Sequence, residues 1–315
     1  MNYFIENEFI KAEISLLGAT LVRFISKKSD VDIVLGFDSE EDYIKHSSTY
    51  IGAVVGRNCN RIGNARFHLN DIEYQLSVNN NHNQLHGGVE GFGSKRWNLV
   101  DKKDDEIVLS YHSVDGEEGY PGNLDVVVSY KLEENSLIFS FKGNSDKDTL
   151  FNITNHSYFN LGDDTILDEY LYISTDKYSP TDEYSLTLDE VKDVKGTPYD
   201  FSEFKLIKDS VELLEMGIDN NYVWENFHDV LVCSLKNDQR QLNIYSDLPD
   251  MHVYTGAYLG GEVGKYGKTY KKYQGIALEC QYYPNGINYG GEFLLPILKK
   301  GETISHYIKY EIVEF

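Results

Sequence analysis

Apolar and polar residues alternate with a period of two along much of the chain. The runs EIVLSYHSV (106–114), LDVVVSYKL (124–132), SLIFSFKG (136–143), YLYIST (170–175), DVLVCSLK (229–236), RQLNIYSD (240–247) and HYIKYEIVEF (306–315) are rich in β-branched and aromatic residues and are separated by Gly, Asn and Asp. Successive side chains of a strand point to opposite faces, so this pattern predicts half-buried antiparallel strands. The polar stretch KLEENS between the second and third runs predicts a hairpin reversal. Helical periodicity is scarce: SEEDYIKH (39–46) and KDSVELLEM (208–216) each predict one short helix decorating a loop. No proline-rich linker, low-complexity block or repeat divides the chain, and its six prolines are scattered. The expected architecture is all-β: a large antiparallel β-sandwich with a few short helices, in a single domain spanning residues 1–315.

Composition narrows the partners. The 315 residues are 41% hydrophobic, enough for a sizeable core. Against 29 basic residues stand 51 acidic ones, a net charge of −22. That balance disfavours nucleic acid, whose phosphates need clustered Lys and Arg, and equally an anionic membrane surface. Cys59, Cys233 and Cys280 are too few and too odd in number for a disulfide framework, which points to a reducing compartment. The start MNYFIENEFIKAEIS lacks the basic and apolar regions of a signal peptide, and no apolar run approaches the ~20 residues of a membrane helix. A cytoplasmic protein is expected. The 25 tyrosines serve as amphipathic packing residues or line a carbohydrate cleft; their number does not choose between the two.

Five segments carry candidate chemistry. Arginine occurs at only six positions, two of them in GRNCNRIG (56–63). A guanidinium fork there either binds a ligand or buried carboxylate, or ties two loops together. In NNNHNQLHGGVEGFGSKRW (79–97), His82 and His86 have a spacing that on a helix suits zinc, but the Asn and Gly around them argue for a loop. The glycines have no phosphate-binding context and instead allow a tight turn beside a ligand. In FNITNHSYFNLG (151–162), His156 lies among Asn152, Asn155 and Asn160, amides that are costly to bury unless they bond one another or a polar ligand. In GIALECQYYPNGIN (275–288), Glu279 sits in an apolar strand, where desolvation raises a carboxylate's basicity. Asp219 in MGIDNNYVW is either a turn residue or a hydroxyl-binding carboxylate. Together these groups suit acid–base work on a neutral polyhydroxy substrate, and no GxSxG elbow supports acyl transfer.

At these residues the chain resembles the aldose 1-epimerase (galactose mutarotase) family, through GRNCNRIGNARFHLN, NQLHGGVEGFGSKRW, NITNHSYFNLG, VYTGAYL and ALECQYYPNGIN, in the family's order. The resemblance implies a galactose mutarotase-like antiparallel supersandwich. It also implies interconversion of the α and β anomers of a free aldose such as galactose or glucose, with neither metal nor organic cofactor. The small sugar would be the partner, in a monomer or homodimer. By the same resemblance Glu279 is the base at the C1 hydroxyl and His156 the acid at the ring oxygen. His86 polarises the ring-oxygen side, and Asn60, Arg61 and Asp219 bind hydroxyls. A Glu near an Arg is expected to stay ionised, and a His with acidic neighbours to stay protonated.

The chain departs from the family's usual residues at Cys59, Asn220, His252 and Ala257, positions expected to shape the sugar pocket, with His252 binding substrate. Three alternatives use the same residues differently. A hexose-6-phosphate 1-epimerase would need basic groups around the phosphate. A non-catalytic sugar-binding protein on the same fold would need no acid–base pair. A glycoside hydrolase would need two flanking carboxylates, of which Glu279 is the single strong candidate.

Overall fold

The computed structural model describes residues 2–225, 230–290 and 293–315. All seven alternating runs become strands of one nine-stranded antiparallel sheet. Its order is Asn98–Lys102, Glu106–Ser113, Leu124–Glu133, Ser136–Ser145, Thr303–Glu314, Arg240–Ser246, Val230–Lys236, Tyr170–Ile173 and Lys205–Leu206. Asp229, the first residue of its run, lies outside the described residues. The expected hairpin closes with Glu133 paired to Ser136, and Glu134 turns the chain at φ +50°.

A second antiparallel sheet has six strands in the order Tyr158–Phe159, Ile276–Gln281, Asp250–Tyr254, Asp219–Val223, Lys177–Ser179 and Lys192–Asp193. It is covered on both faces, so its strands do not alternate: every residue of Ile276–Gln281 is buried. One face joins the main core, where Met251, Val253, Leu278 and Tyr222 share a cluster with Phe139, Leu242, Ile244, Ile308 and Tyr310 of the larger sheet. Each such side chain contributes roughly 1.5–3 kcal/mol through burial. A four-stranded N-terminal sheet, Asn2–Glu6, Ile10–Ser15, Leu21–Ser26 and Val31–Asp32, adds Ile5, Ile14 and Phe24 to that core.

Helices are short. Glu40–Lys45 begins at Ser39, whose hydroxyl accepts the Asp42 N–H at 3.1 Å, as an N-cap does. The second expected helix covers only Ile207–Val211, and a third, Gly286–Tyr289, follows the Pro-Asn-Gly turn. No described helix is long and apolar enough to cross a membrane.

Candidate active site

The period of the strand positions the site. In Ile276–Gln281, Leu278 packs into the core, so Glu279 points to the other face; in Asp250–Tyr254, Met251 and Val253 do the same for His252. The register sets His252 opposite Glu279, and Asn221 opposite His252 on the next strand, which Asp219 begins. Loops supply the rest. His156 follows the short strand Thr154–Asn155, and its backbone is pinned by His156 N–H to Ala53 O at 2.8 Å and Gly52 N–H to His156 O at 2.9 Å. His86 adopts φ +51° at the start of a turn continued by Gly87, where a Cβ would meet the Gly56 carbonyl at 1.7 Å. Only glycine fits there.

All seven residues singled out in the sequence (Glu279, His156, His86, Asn60, Arg61, Asp219 and His252) line one cavity of about 450 Å³. At its floor His156 Nε2 stands 3.6 Å from Glu279 Oε1, both side chains buried. Asn60 N–H donates to His86 Nδ1 at 3.2 Å, which leaves the proton of a neutral His86 on Nε2. Along the wall His252 Nε2 meets Asp219 Oδ1 at 2.7 Å, and Arg61 Nη1 lies 3.9 Å from Asp219 Oδ2. Arg61 is itself held by Asn80 Oδ1 and the Ser185 carbonyl, each at 3.0 Å.

Burial sets the protonation states. It pushes the Glu279 carboxyl up to about 8, with the Asp219 charge adding to the effect and Arg61 opposing it. It pushes the His156 imidazole down to about 4. His86 is held well below the usual imidazole range by burial, reinforced by the charges of His156, Arg61 and His252. At Asp219 burial works upward, but the His252 hydrogen bond and charge and the Arg61 charge outweigh it and hold the carboxyl at about 2. The resting Glu279–His156 pair is therefore a neutral acid beside a neutral imidazole. Desolvation outweighs the neighbouring charges that would favour a carboxylate and an imidazolium. The pair still owns one proton to move.

His86, His156 and Glu279 offer ligand atoms within 4.8 Å of one another, the donor set of a two-histidine, one-carboxylate metal centre. The His86 tautomer does not fit that use, because the bond from Asn60 N–H occupies Nδ1 and leaves Nε2 as a hydrogen-bond donor.

Several expectations change. The two arginines of GRNCNRIG do different work: Arg57 is 2% exposed and bonds Ser113, Val114, Pro121 and Thr149, tying loops, while Arg61 faces the cavity. The clustered amides are clamps and do not line the cavity. Asn152 bonds both the N–H and the carbonyl of Tyr282, Asn155 reaches Gly52 O, and Asn160 reaches Gln274 O. Of the four departures from the family's usual residues, only His252 lines the cavity. Cys59 Sγ bonds Gln281 Oε1 at 3.1 Å, Asn220 donates to the Ser179 carbonyl at 3.1 Å, and Ala257 lies off the wall. Unforeseen wall residues are Tyr50, Tyr158, Asn80, Ser185, Tyr254 and Tyr258. Tyr158 and Tyr254 fall inside the resembling segments NITNHSYFNLG and VYTGAYL, whereas Tyr50 sits in no motif.

A β-sandwich whose polar cavity brings a buried carboxyl and a buried imidazole within 3.6 Å of each other suits proton transfer on a small polar molecule. The sequence profile described as aldose 1-epimerase matches residues 1–311, and the chain belongs to that family. It is 35% identical to galactose mutarotase of Bos taurus, covering 96% of this chain and 91% of the relative. It is 33% identical to aldose 1-epimerase of Escherichia coli (strain K12), covering 94% and 90%. Among solved structures, the GalM/aldose epimerase homologue from C. elegans superposes with a TM-score of 0.94 at 28% identity, covering 100% of this chain and 99% of that one. Galactose 1-epimerase from Lactobacillus acidophilus NCFM gives 0.88 at 27%, covering 99% and 94%.

Proposed function

We propose that Glu279 and His156 carry out the interconversion of α and β aldose anomers that the chain performs as an aldose 1-epimerase. With the pair's one proton shifted from Glu279 to His156, the Glu279 carboxylate takes the proton from the C1 hydroxyl. The C1–ring-oxygen bond breaks as C1=O forms, and His156 delivers a proton to the leaving ring oxygen. Rotation about C1–C2 presents the other face of the aldehyde, and the same two transfers run backwards to close the ring. Atoms and charge balance over the cycle, and positioned groups of this kind contribute roughly 10²–10⁴-fold each. His86 donates its Nε2 proton toward the ring-oxygen side, and Asn60, Arg61, Asp219 and His252 hold hydroxyls.

The observation that carries this reading is the buried 3.6 Å contact between His156 and Glu279 on the floor of the cavity. A free sugar suits the lining better than a sugar phosphate. Among the described residues Arg61 is its one Lys or Arg side chain, already engaged by Asn80, Ser185 and Asp219, and the acids Glu183, Asp219, Glu262 and Glu279 share the lining. The cavity draws on residues from Ser48 to Glu279, which supports treating 1–315 as one functional domain. The three cysteines are buried and unpaired, in keeping with a cytoplasmic setting.

Polarimetry on freshly dissolved α-D-galactose and α-D-glucose tests the assignment. The wild-type protein should speed decay to the same final rotation. Glu279→Gln should lower the rate by roughly 10²–10⁴-fold while still binding sugar. Near-wild-type turnover in the variant would remove Glu279 as the base.

A further inference from the structure

His156 is enclosed by aromatic faces. The Tyr50 ring lies 5.9 Å from it at an interplanar angle of 28°, and the Tyr158 ring lies 5.0 Å away at 35°. His86 completes the cluster edge-on at 5.0 Å, and Tyr50 packs on His86 at 4.6 Å. Tyr50 is held unusually for a bulky residue: its φ is +54°, a left-handed conformation that glycine adopts more readily. Its hydroxyl accepts the Asn79 amide at 3.4 Å.

The proton cycle gives that ring a task. Delivery to the ring oxygen requires an imidazolium at His156 beside a Glu279 carboxylate, whereas burial favours the neutral arrangement of the same proton. The other groups facing His156 act in both directions. Glu279 lies 3.6 Å away, the Asp219 charge favours the imidazolium, and the charge of His252 opposes it. An aromatic face is negative and attracts a cation within about 6 Å of its centroid, and both tyrosine rings meet that limit.

We propose that Tyr50, together with Tyr158, is a positioning residue that stabilises the His156 imidazolium through its ring face and so populates the reactive form of the acid–base pair. This rests on the assignment of His156 as the acid. Tyr50 forms no bond with substrate in this role. It acts through His156, and its hydroxyl is dispensable.

Four measurements on the 315-residue protein test it. Tyr50→Leu should lower kcat roughly five- to thirtyfold with little change in KM, and Tyr50→Phe, which keeps the ring, should lower it much less. In Tyr50→Leu the acid limb of the pH–rate profile should also move to lower pH, because the imidazolium loses its support. Replacing Tyr50 by phenylalanines carrying one, two and three ring fluorines preserves shape while draining the face of negative potential, so log kcat should fall stepwise with fluorine number. Titration of the His156 ring by ¹⁵N NMR reads the same proton without relying on activity: its pKa should fall along the series. A flat fluorine series, or a Phe variant as impaired as Leu, would overturn the proposal. An unmoved His156 titration would also overturn it, even if the enzyme turned out to use a different acid.

Discussion

At the scale of single residues, proton affinities and hydrogen bonds make two expectations. Because Glu279 is pushed up to about 8 and His156 down to about 4, the pair holds one proton between those limits. Below them both groups are protonated and the base is lost; above them both are bare and the acid is lost. The kcat/KM profile should therefore be a broad plateau bounded near pH 4 and pH 8. An acid limb in the usual imidazole range would show that burial does not depress the His156 imidazole in the working site. His252 is the second case. Its Nε2 is committed to Asp219 at 2.7 Å, and both side chains line the cavity. The ring and the carboxylate it orients face the hydroxyls a sugar presents to this wall, and matching or losing one such bond discriminates strongly between epimers. His252→Gln should shift the ratio of kcat/KM for galactose and glucose by roughly tenfold. An unchanged ratio would mean the side chain does not read the hydroxyls. Residue chemistry was partly legible in the sequence, since His86, His156 and Glu279 stand out among their neighbours, and Arg61 faces the cavity as one of the readings left open. Arg57 and the three asparagines carry the same chemical groups and perform structural work. Spacing cannot separate the two uses, because what distinguishes them is whether a cavity or a loop lies in front of the side chain.

At the scale of elements, alternation reads one sheet and misses the other. A sheet with one face in the core and one toward solvent announces itself by period two, and all seven such runs fall in the nine-stranded sheet. The site-bearing sheet is covered on both faces, so Ile276–Gln281 is buried throughout and Glu279 interrupts an apolar run, with no polar face to reveal it. Only the oddity of a Glu in IALEC, together with the resemblance to a known family, pointed there. The loop bearing Tyr50 left no signal, because its left-handed backbone and its aromatic contacts are products of tertiary packing. The strand that presents Glu279 also separates stability from chemistry along its own length. Leu278, 1% exposed, faces the core while its neighbour faces the cavity. Leu278→Ala should cost about 2–5 kcal/mol in urea unfolding, with the slope m unchanged. At temperatures where the variant is folded its turnover should stay within a few-fold of wild type. Loss of activity in a well-folded Leu278→Ala protein would show that the strand's register, and with it the His252–Glu279 pairing, depends on core packing.

At the scale of the whole molecule, the acid–base pair is a local cost that the rest of the fold carries. Glu279 has a folded pKa of about 8 against an ordinary value of 4.5. Below the ordinary value the carboxyl is protonated in both states and nothing is lost. As pH rises from there toward 8, the unfolded chain releases the proton while the folded chain retains it, so the native state loses stability across that window. Gln in the same place ionises in neither state. Glu279→Gln should therefore be about as stable as wild type near pH 4.5 and increasingly more stable toward pH 8, by an amount on the order of a few kcal/mol for a fully buried group. The sign is opposite to that for His156, whose depressed pKa removes stability as pH falls through the ordinary imidazole value toward 4. Thermal melts of Glu279→Gln and wild type at half-unit pH steps distinguish the two contributions. A stability gap that grows with pH identifies the buried carboxyl as the source. A gap independent of pH would mean that Glu279 keeps its ordinary proton affinity in the native protein, ionised in the resting site and compensated by Arg61. Greater stability without the proposed base would show that Glu279 sits where chemistry needs it, against the preference of the fold.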